Sequence, residues 1–378
     1  MQLRLQLLSQ GIFTYKQPLP AQAAGKMVVL ILIGGLFSVI TGQPAAYAQK
    51  VVPRPGFIYH AAFPDFGGPE DKVTLERITK FEDLAGKKIA WAYFSNNWWR
   101  RIKYPQAAIN TIHSHGSVPF VRLMARSKFG KPRADKRYRL RKILSGKFDR
   151  AISAWADAAA ASGIPMMVEF GSEVNGFWVP WNGKWNGRGR KKRYGDPHMA
   201  DGPERFRDAY RHIVDIFRAR GANNVTWVFH VNAISYPNAK WNTIKAYYPG
   251  DDYVDWIGVS VYGALNASEA WLSFTEVLDQ AYPQLVALSA DKPLALLEFG
   301  VDERRHNPSL KAAWISEAIN SIASGRYPRI RAISYWHENW RNAHGVESRL
   351  HINSSPEALA AYRSAVANSI FTSSVKIR

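Results

Sequence analysis

From about residue 50 to its end, the chain alternates short apolar runs with longer amphipathic stretches. Eight apolar runs are predicted strands, at 56–60, 88–94, 118–125, 164–171, 225–232, 253–263, 293–300 and 330–338. Most are rich in Val, Ile, Leu and aromatic residues without strict apolar–polar alternation. That is the pattern of parallel strands covered by helices. Between them, residues 204–220 carry apolar positions at three-to-four spacing, and 148–162, 269–288, 310–323 and 357–368 also read as helices. Gly163 and Gly221 stand where two of these helices would stop. Strand and helix alternating eight times predict a single closed (β/α)8 TIM barrel of the α/β class. The least regular stretches, 126–145 and 183–202, follow the third and fourth strands. In a barrel they are βα loops, on the face where active sites are built.

The N-terminus has a different pattern. Its only charges before residue 49 are Arg4, Lys16 and Lys26, and an apolar run from Met27 to Ile40 follows. That run is shorter than the roughly 20 residues needed to span a bilayer. Ala46-Tyr47-Ala48 then supplies the small-x-small pattern of a signal peptidase site. Residues 1–48 are therefore expected to be a signal peptide or N-terminal leader and 49–378 the catalytic domain, secreted or periplasmic, with no stable membrane insertion after cleavage; a retained membrane anchor is the alternative reading. The chain has no cysteine, which excludes thiol catalysis, thiolate metal sites and iron–sulfur clusters.

Two carboxylates stand at predicted strand ends. Glu173 lies just beyond the fourth strand, and Glu298 lies near the end of the seventh, in Leu296-Leu297-Glu298-Phe299-Gly300. Strands four and seven are nearly opposite in an eight-stranded barrel, so both side chains can reach one central cavity. Hydrolysis of a glycosidic bond needs such a pair: one group protonates the leaving oxygen while the other attacks the anomeric carbon. The ten His show no His-Glu-x-x-His pattern, and no nucleotide-type glycine loop occurs, so neither a metal nor a cofactor is expected. His230 and His337 fall at the ends of strands five and eight, where a substrate contact is reasonable. His230 is taken as a substrate-binding candidate.

The surroundings of the two carboxylates carry more information. Glu173-Val174-Asn175-Gly176-Phe177-Trp178-Val179-Pro180-Trp181 resembles the Glu-Met-Asn-Gly…Trp…Trp signature of glycoside hydrolase family 26. Gly221-Ala222-Asn223-Asn224-Val225, Tyr248-Pro249-Gly250-Asp251-Asp252-Tyr253 and Lys292-Pro293…Glu298-Phe299-Gly300 resemble later family segments in the same order, and the likeness covers about residues 55 to 340. The resemblance implies a retaining β-glycanase of the β-mannanase or β-glucanase kind, with Glu173 as acid/base and Glu298 as nucleophile. It implies that Tyr262 hydrogen-bonds the nucleophile and helps keep it ionised, and that Trp336 is the platform beneath the cleaved sugar. Trp178 and Trp181 would line the leaving-group or a neighbouring subsite, and Asn175 would contact substrate. Retention implies carboxyl groups about 5–5.5 Å apart, with Glu173 protonated at rest. One position departs from the family: Ser172 stands where His usually precedes the acid/base, which puts mannanase specificity in doubt.

The net charge of +20 changes the expected substrate. Between Arg122 and Arg150 there are twelve Lys/Arg against two Asp, and Lys184, Arg188, Arg190, Lys191, Lys192 and Arg193 form a second cluster. Both fall largely in the loops after strands three and four, on the expected catalytic face. The expected partner is a polysaccharide bearing acidic groups, such as a bacterial exopolysaccharide. No nucleic-acid motif accompanies the charge. A barrel that binds polysaccharide without cleaving it is the alternative reading.

Overall fold

A computed structural model describes residues 49–378, apart from 131, 305 and 342–345. The expected leader at 1–48 lies outside the described residues. Eight strands form the centre: β1 (Ile58–Phe63), β2 (Trp91–Asn97), β3 (Val118–Met124), β4 (Met166–Phe170), β5 (Val225–Asn232), β6 (Trp256–Tyr262), β7 (Leu294–Gly300) and β8 (Ile330–Trp336). Each pairs in parallel with the next, and β8 returns to β1 through Tyr59↔Ala332 to Phe63↔Trp336, which closes the barrel. Eight helices follow the strands in turn: α1 (Leu75–Ala85), α2 (Gln106–Ser114), α3 (Asp149–Ser162), α4 (Asp201–Ala219), α5 (Ile244–Tyr247), α6 (Phe274–Val286), α7 (Ser309–Ala323) and α8 (Pro356–Val366). No helix among the described residues is long and apolar enough to cross a membrane.

Nearly every strand residue is buried, because helices cover the outer face and side chains fill the inner one. The inner face turns polar toward the C-terminal mouth. Ser95 and Asn97 on β2, His230 and Asn232 on β5, and Ser260 and Tyr262 on β6 sit two residues apart, so each pair shares a face. This is why β2 runs on to Asn97, three residues past its predicted end. Helix ends follow local chemistry. The Thr74 side chain accepts from the Arg77 amide at the start of α1, and Ser273 with Glu276 forms a capping box on α6. Gly163 closes α3 in the left-handed region.

Candidate active site

The site is assembled from the C-terminal ends of the strands. Glu173 sits three residues past β4, at the start of a tight turn, with φ +49°. A left-handed non-glycine residue costs about 1–2 kcal/mol, so its surroundings must hold it there. Two glycines make the turn possible. A Cβ on Gly171 would meet the Phe206 ring at 2.6 Å, and one on Gly176 would meet the Trp178 indole at 2.3 Å. With Gly176 bare, Trp178 folds back and its Nε1 donates to Glu173 Oε2 at 2.6 Å. The other carboxylate oxygen accepts from Asn232 Nδ2 at 3.1 Å.

Glu298 comes from β7 through an irregularity in the sheet. The register with β6 slips so that Val259 pairs with Leu296 and Ser260 with Glu298, leaving Leu297 as an extra residue. Glu298 Oε2 accepts from the Tyr262 hydroxyl at 2.8 Å, and Oε1 lies 3.2 Å from Arg122 Nη2 and 3.4 Å from the Tyr93 hydroxyl. Burial pushes its carboxyl up to about 7. Arg122 opposes that rise, and the negative charge of Glu173 adds to it. The Tyr262 bond is present, but burial outweighs it.

Both glutamates line one cleft of about 1000 Å³, together with Tyr262, Trp178 and Trp336. Trp336 is only 5% exposed, because one ring stack with Phe63 (4.1 Å between centroids) and its Nε1 bond to Glu338 hold it in the wall. Three expected site residues lie elsewhere. Trp181 is buried, and its Nε1 donates to the Ser172 carbonyl at 2.7 Å, so it supports the acid/base turn from behind. Asn175 is also buried. It grips the backbone of Asn232 from both sides, accepting from its amide and donating to its carbonyl, each at 2.8 Å. That grip delivers the Asn232 side chain to Glu173. His230 lies below the cleft, with Nδ1 2.9 Å from Glu169 Oε2 and Nε2 2.8 Å from Ser260 Oγ. Burial alone would lower the His230 pKa, but Glu169 overrides it and the net shift is upward.

The sequence reading did not single out Arg122, although it organises the floor of the cleft. Its guanidinium reaches Glu70 at 2.9 Å, Ser172 Oγ at 3.0 Å, Glu298 at 3.2 Å and Glu169 at 3.3 Å. It also lies 5.0 Å from the Trp336 ring centroid. Burial opposes its charge, but Tyr93 and three carboxylates hold it cationic. Glu338 was missed as well. Burial, followed by repulsion from Glu70 and Asp65, pushes its carboxyl up to about 9, so at neutral pH the cleft holds a neutral acid there. Tyr236 and Phe129, both exposed, extend the aromatic lining outward. No group of His, Asp and Glu able to hold a metal ion occurs among the described residues.

Residues 134–297 match the family model for Glycosyl hydrolase family 26, a stretch that contains the acid/base turn and reaches to one residue before Glu298. Endoglucanase H of Acetivibrio thermocellus is 32% identical over 292 residues, which is 76% of this chain and 29% of that protein. Under half of the chain, residues 134–297, thus carries the likeness to glycosyl hydrolase family 26. Mannan endo-1,4-beta-mannosidase A and B of Caldalkalibacillus mannanilyticus is 25% identical over 185 residues, 49% of this chain and 30% of that protein. The chain spans under a third of the length of these relatives. Among solved structures, the catalytic domain of the Bacillus sp. JAMB-750 GH26 endo-beta-1,4-mannanase superposes with a TM-score of 0.58 at 16% identity, covering 84% of this chain and 87% of that one. A Cellulomonas fimi endo-beta-1,4-mannanase double mutant gives 0.56 at 17% identity, covering 84% and 72%. The closed (β/α)8 barrel is therefore shared with both solved structures at the level of fold.

Proposed function

We propose that this domain is a family 26 enzyme, a secreted, retaining endo-β-glycanase acting on a β-mannan- or β-glucan-type polysaccharide that carries acidic groups. One observation carries the reading: Glu173 and Glu298 line a single cleft, each held by a different set of donors. Glu298 attacks the anomeric carbon while Glu173 gives its proton to the leaving oxygen, forming a glycosyl ester. Glu173 then takes a proton from the incoming water, and the ester is hydrolysed with net retention. The naming of the two curated relatives as an endoglucanase and a mannan endo-1,4-beta-mannosidase supports a β-glycan backbone. The arginine-rich loops beside the cleft support an anionic one, and the apolar run followed by Ala46-Tyr47-Ala48 supports export.

The test is incubation of the purified protein with mixed-linkage glucan, glucomannan, mannan, xylan and acidic exopolysaccharides, with new reducing ends measured. Glu298→Ala should abolish release while sparing binding, and proton NMR of the first-formed product should show the β-anomer. Binding without release on every polymer would replace the hydrolase with a polysaccharide-binding barrel.

A further inference from the structure

A second cleft, of about 570 Å³, opens between the loops after β3 and β4. Five arginines line it: Arg139 and Arg141 at the short helix Leu140–Leu144, then Arg190, Arg193 and Arg205. Among the described residues the only acid in the lining is Asp201, whose carboxylate stands 3.7 Å from Arg205 Nη1 and accepts no hydrogen bond from them. Arg205 is otherwise structural, donating to the carbonyls of Asn186 at 2.6 Å and Arg193 at 3.0 Å. The guanidinium groups of Arg139, Arg141, Arg190 and Arg193 make no ion pair or side-chain hydrogen bond among the described residues. Four uncompensated cations facing one hollow repel each other, and an anion seated among them would relieve that repulsion. The guanidinium fork matches the two oxygens of a carboxylate, sulfate or phosphate.

The position of this cleft argues for a sugar-borne anion. Trp185 forms part of its wall, a flat ring of the kind that meets the apolar face of a pyranose. The Trp185 indole donates to the carbonyl of Phe177 at 2.9 Å, and the next residue, Trp178, holds Glu173. One loop therefore supplies both the acid/base and one wall of the arginine-lined hollow. We propose that this hollow is a remote subsite for an acidic sugar unit of the same polysaccharide strand, away from the bond that is cut. The proposal rests on the hydrolase reading for the strand's second attachment, and the test separates the two.

Binding of carboxymethylated mixed-linkage β-glucan and of its uncharged parent is measured for the Glu298→Gln protein, with and without Arg141→Gln and Arg193→Gln. Both arginines are exposed and make no side-chain contact that the fold needs. The expected result is at least about a tenfold loss of affinity for the charged polymer, the effect of one lost charge-assisted contact, with the neutral parent unaffected. The loss should shrink at high salt. Equal binding of the charged polymer by both proteins overturns the proposal, as does an equal loss on both polymers. So does an arginine-dependent affinity found only for phosphatidylglycerol vesicles. If the wild-type protein cleaves neither these two polymers nor any other of the panel, yet the arginine changes cause the selective loss, the hydrolase reading fails and the subsite stands. If it cleaves the charged polymer and the arginine changes do nothing, the subsite fails and the hydrolase reading stands.

Discussion

Replacing Glu298 by Gln should stabilise the fold at neutral and alkaline pH while removing turnover. The raised carboxyl, from 4.5 to about 7, means that the folded protein holds this proton more tightly than the unfolded chain does. Between those two values the unfolded state has released the proton and the native state has not, so stability falls as pH rises through the window. Above it, the loss levels off at about 3 kcal/mol, at about 1.4 kcal/mol for each pH unit. Gln does not titrate and fits the same space. Its oxygen can face Arg122 and Tyr93, and its amide can donate to the Tyr262 oxygen. The variant and wild type should therefore unfold alike near pH 4.5, and the variant should be more stable by about 3 kcal/mol at pH 8. In melting temperature that is roughly 5 °C for a chain of this size. Thermal unfolding of both proteins across this pH range checks it. A difference that does not change with pH, or a variant less stable at pH 8, would refute the argument that burial dominates the nucleophile's environment.

Further expectations concern the groups behind the cleft. In wild type, kcat/KM should rise as pH increases through about 7, because Glu298 must be ionised to attack; Arg122→Met should move this limb upward and, by stranding Glu70 and Glu169, cost about 3–5 kcal/mol in urea denaturation. Trp181→Phe removes the donor to the Ser172 carbonyl and should cost about 1–3 kcal/mol of stability with KM unchanged, since the ring does not line the cleft. Asn175→Ala frees Asn232 and should lower kcat about 10²-fold while KM changes little in steady-state assays. Gly176→Ala pushes the Trp178 ring away from Glu173, and the effect should appear as lost activity and a changed tryptophan fluorescence spectrum.

The barrel was legible because its strands are buried on both faces and keep continuous apolar runs; β5 coincides with its predicted span, and the other seven differ mainly at their ends. Helices α1, α2 and α5 were not, since α1 mixes charges with an exposed Leu75, α2 is rich in weak helix formers such as Asn, Thr, His and Ser, and α5 is only 4 residues long. The two glutamates could be read from their places at strand ends, and Trp178, Trp336 and Tyr262 came with the family likeness. Arg122 could not be found this way. In sequence it is one cation among twelve in a basic stretch, and only the closed sheet turns it inward among the carboxylates of β4 and β7. The same limit applied to Trp181 and Asn175, which stand beside Trp178 in the chain but on the far side of the turn. A spacing of one to three residues in an irregular loop carries no information about which side chains face the solvent.

The floor beneath the nucleophile has a consequence for how this protein varies between species. Arg122 neutralises charge contributed by two different strands and a loop, so its loss alone would leave several acids confronting one another. Descendants that abandon the arginine should also have shed Glu70 or Glu169, or acquired a basic side chain at position 172. Such joint replacement would leave a paired signature in aligned sequences, while the rim of the opening diversified freely above it.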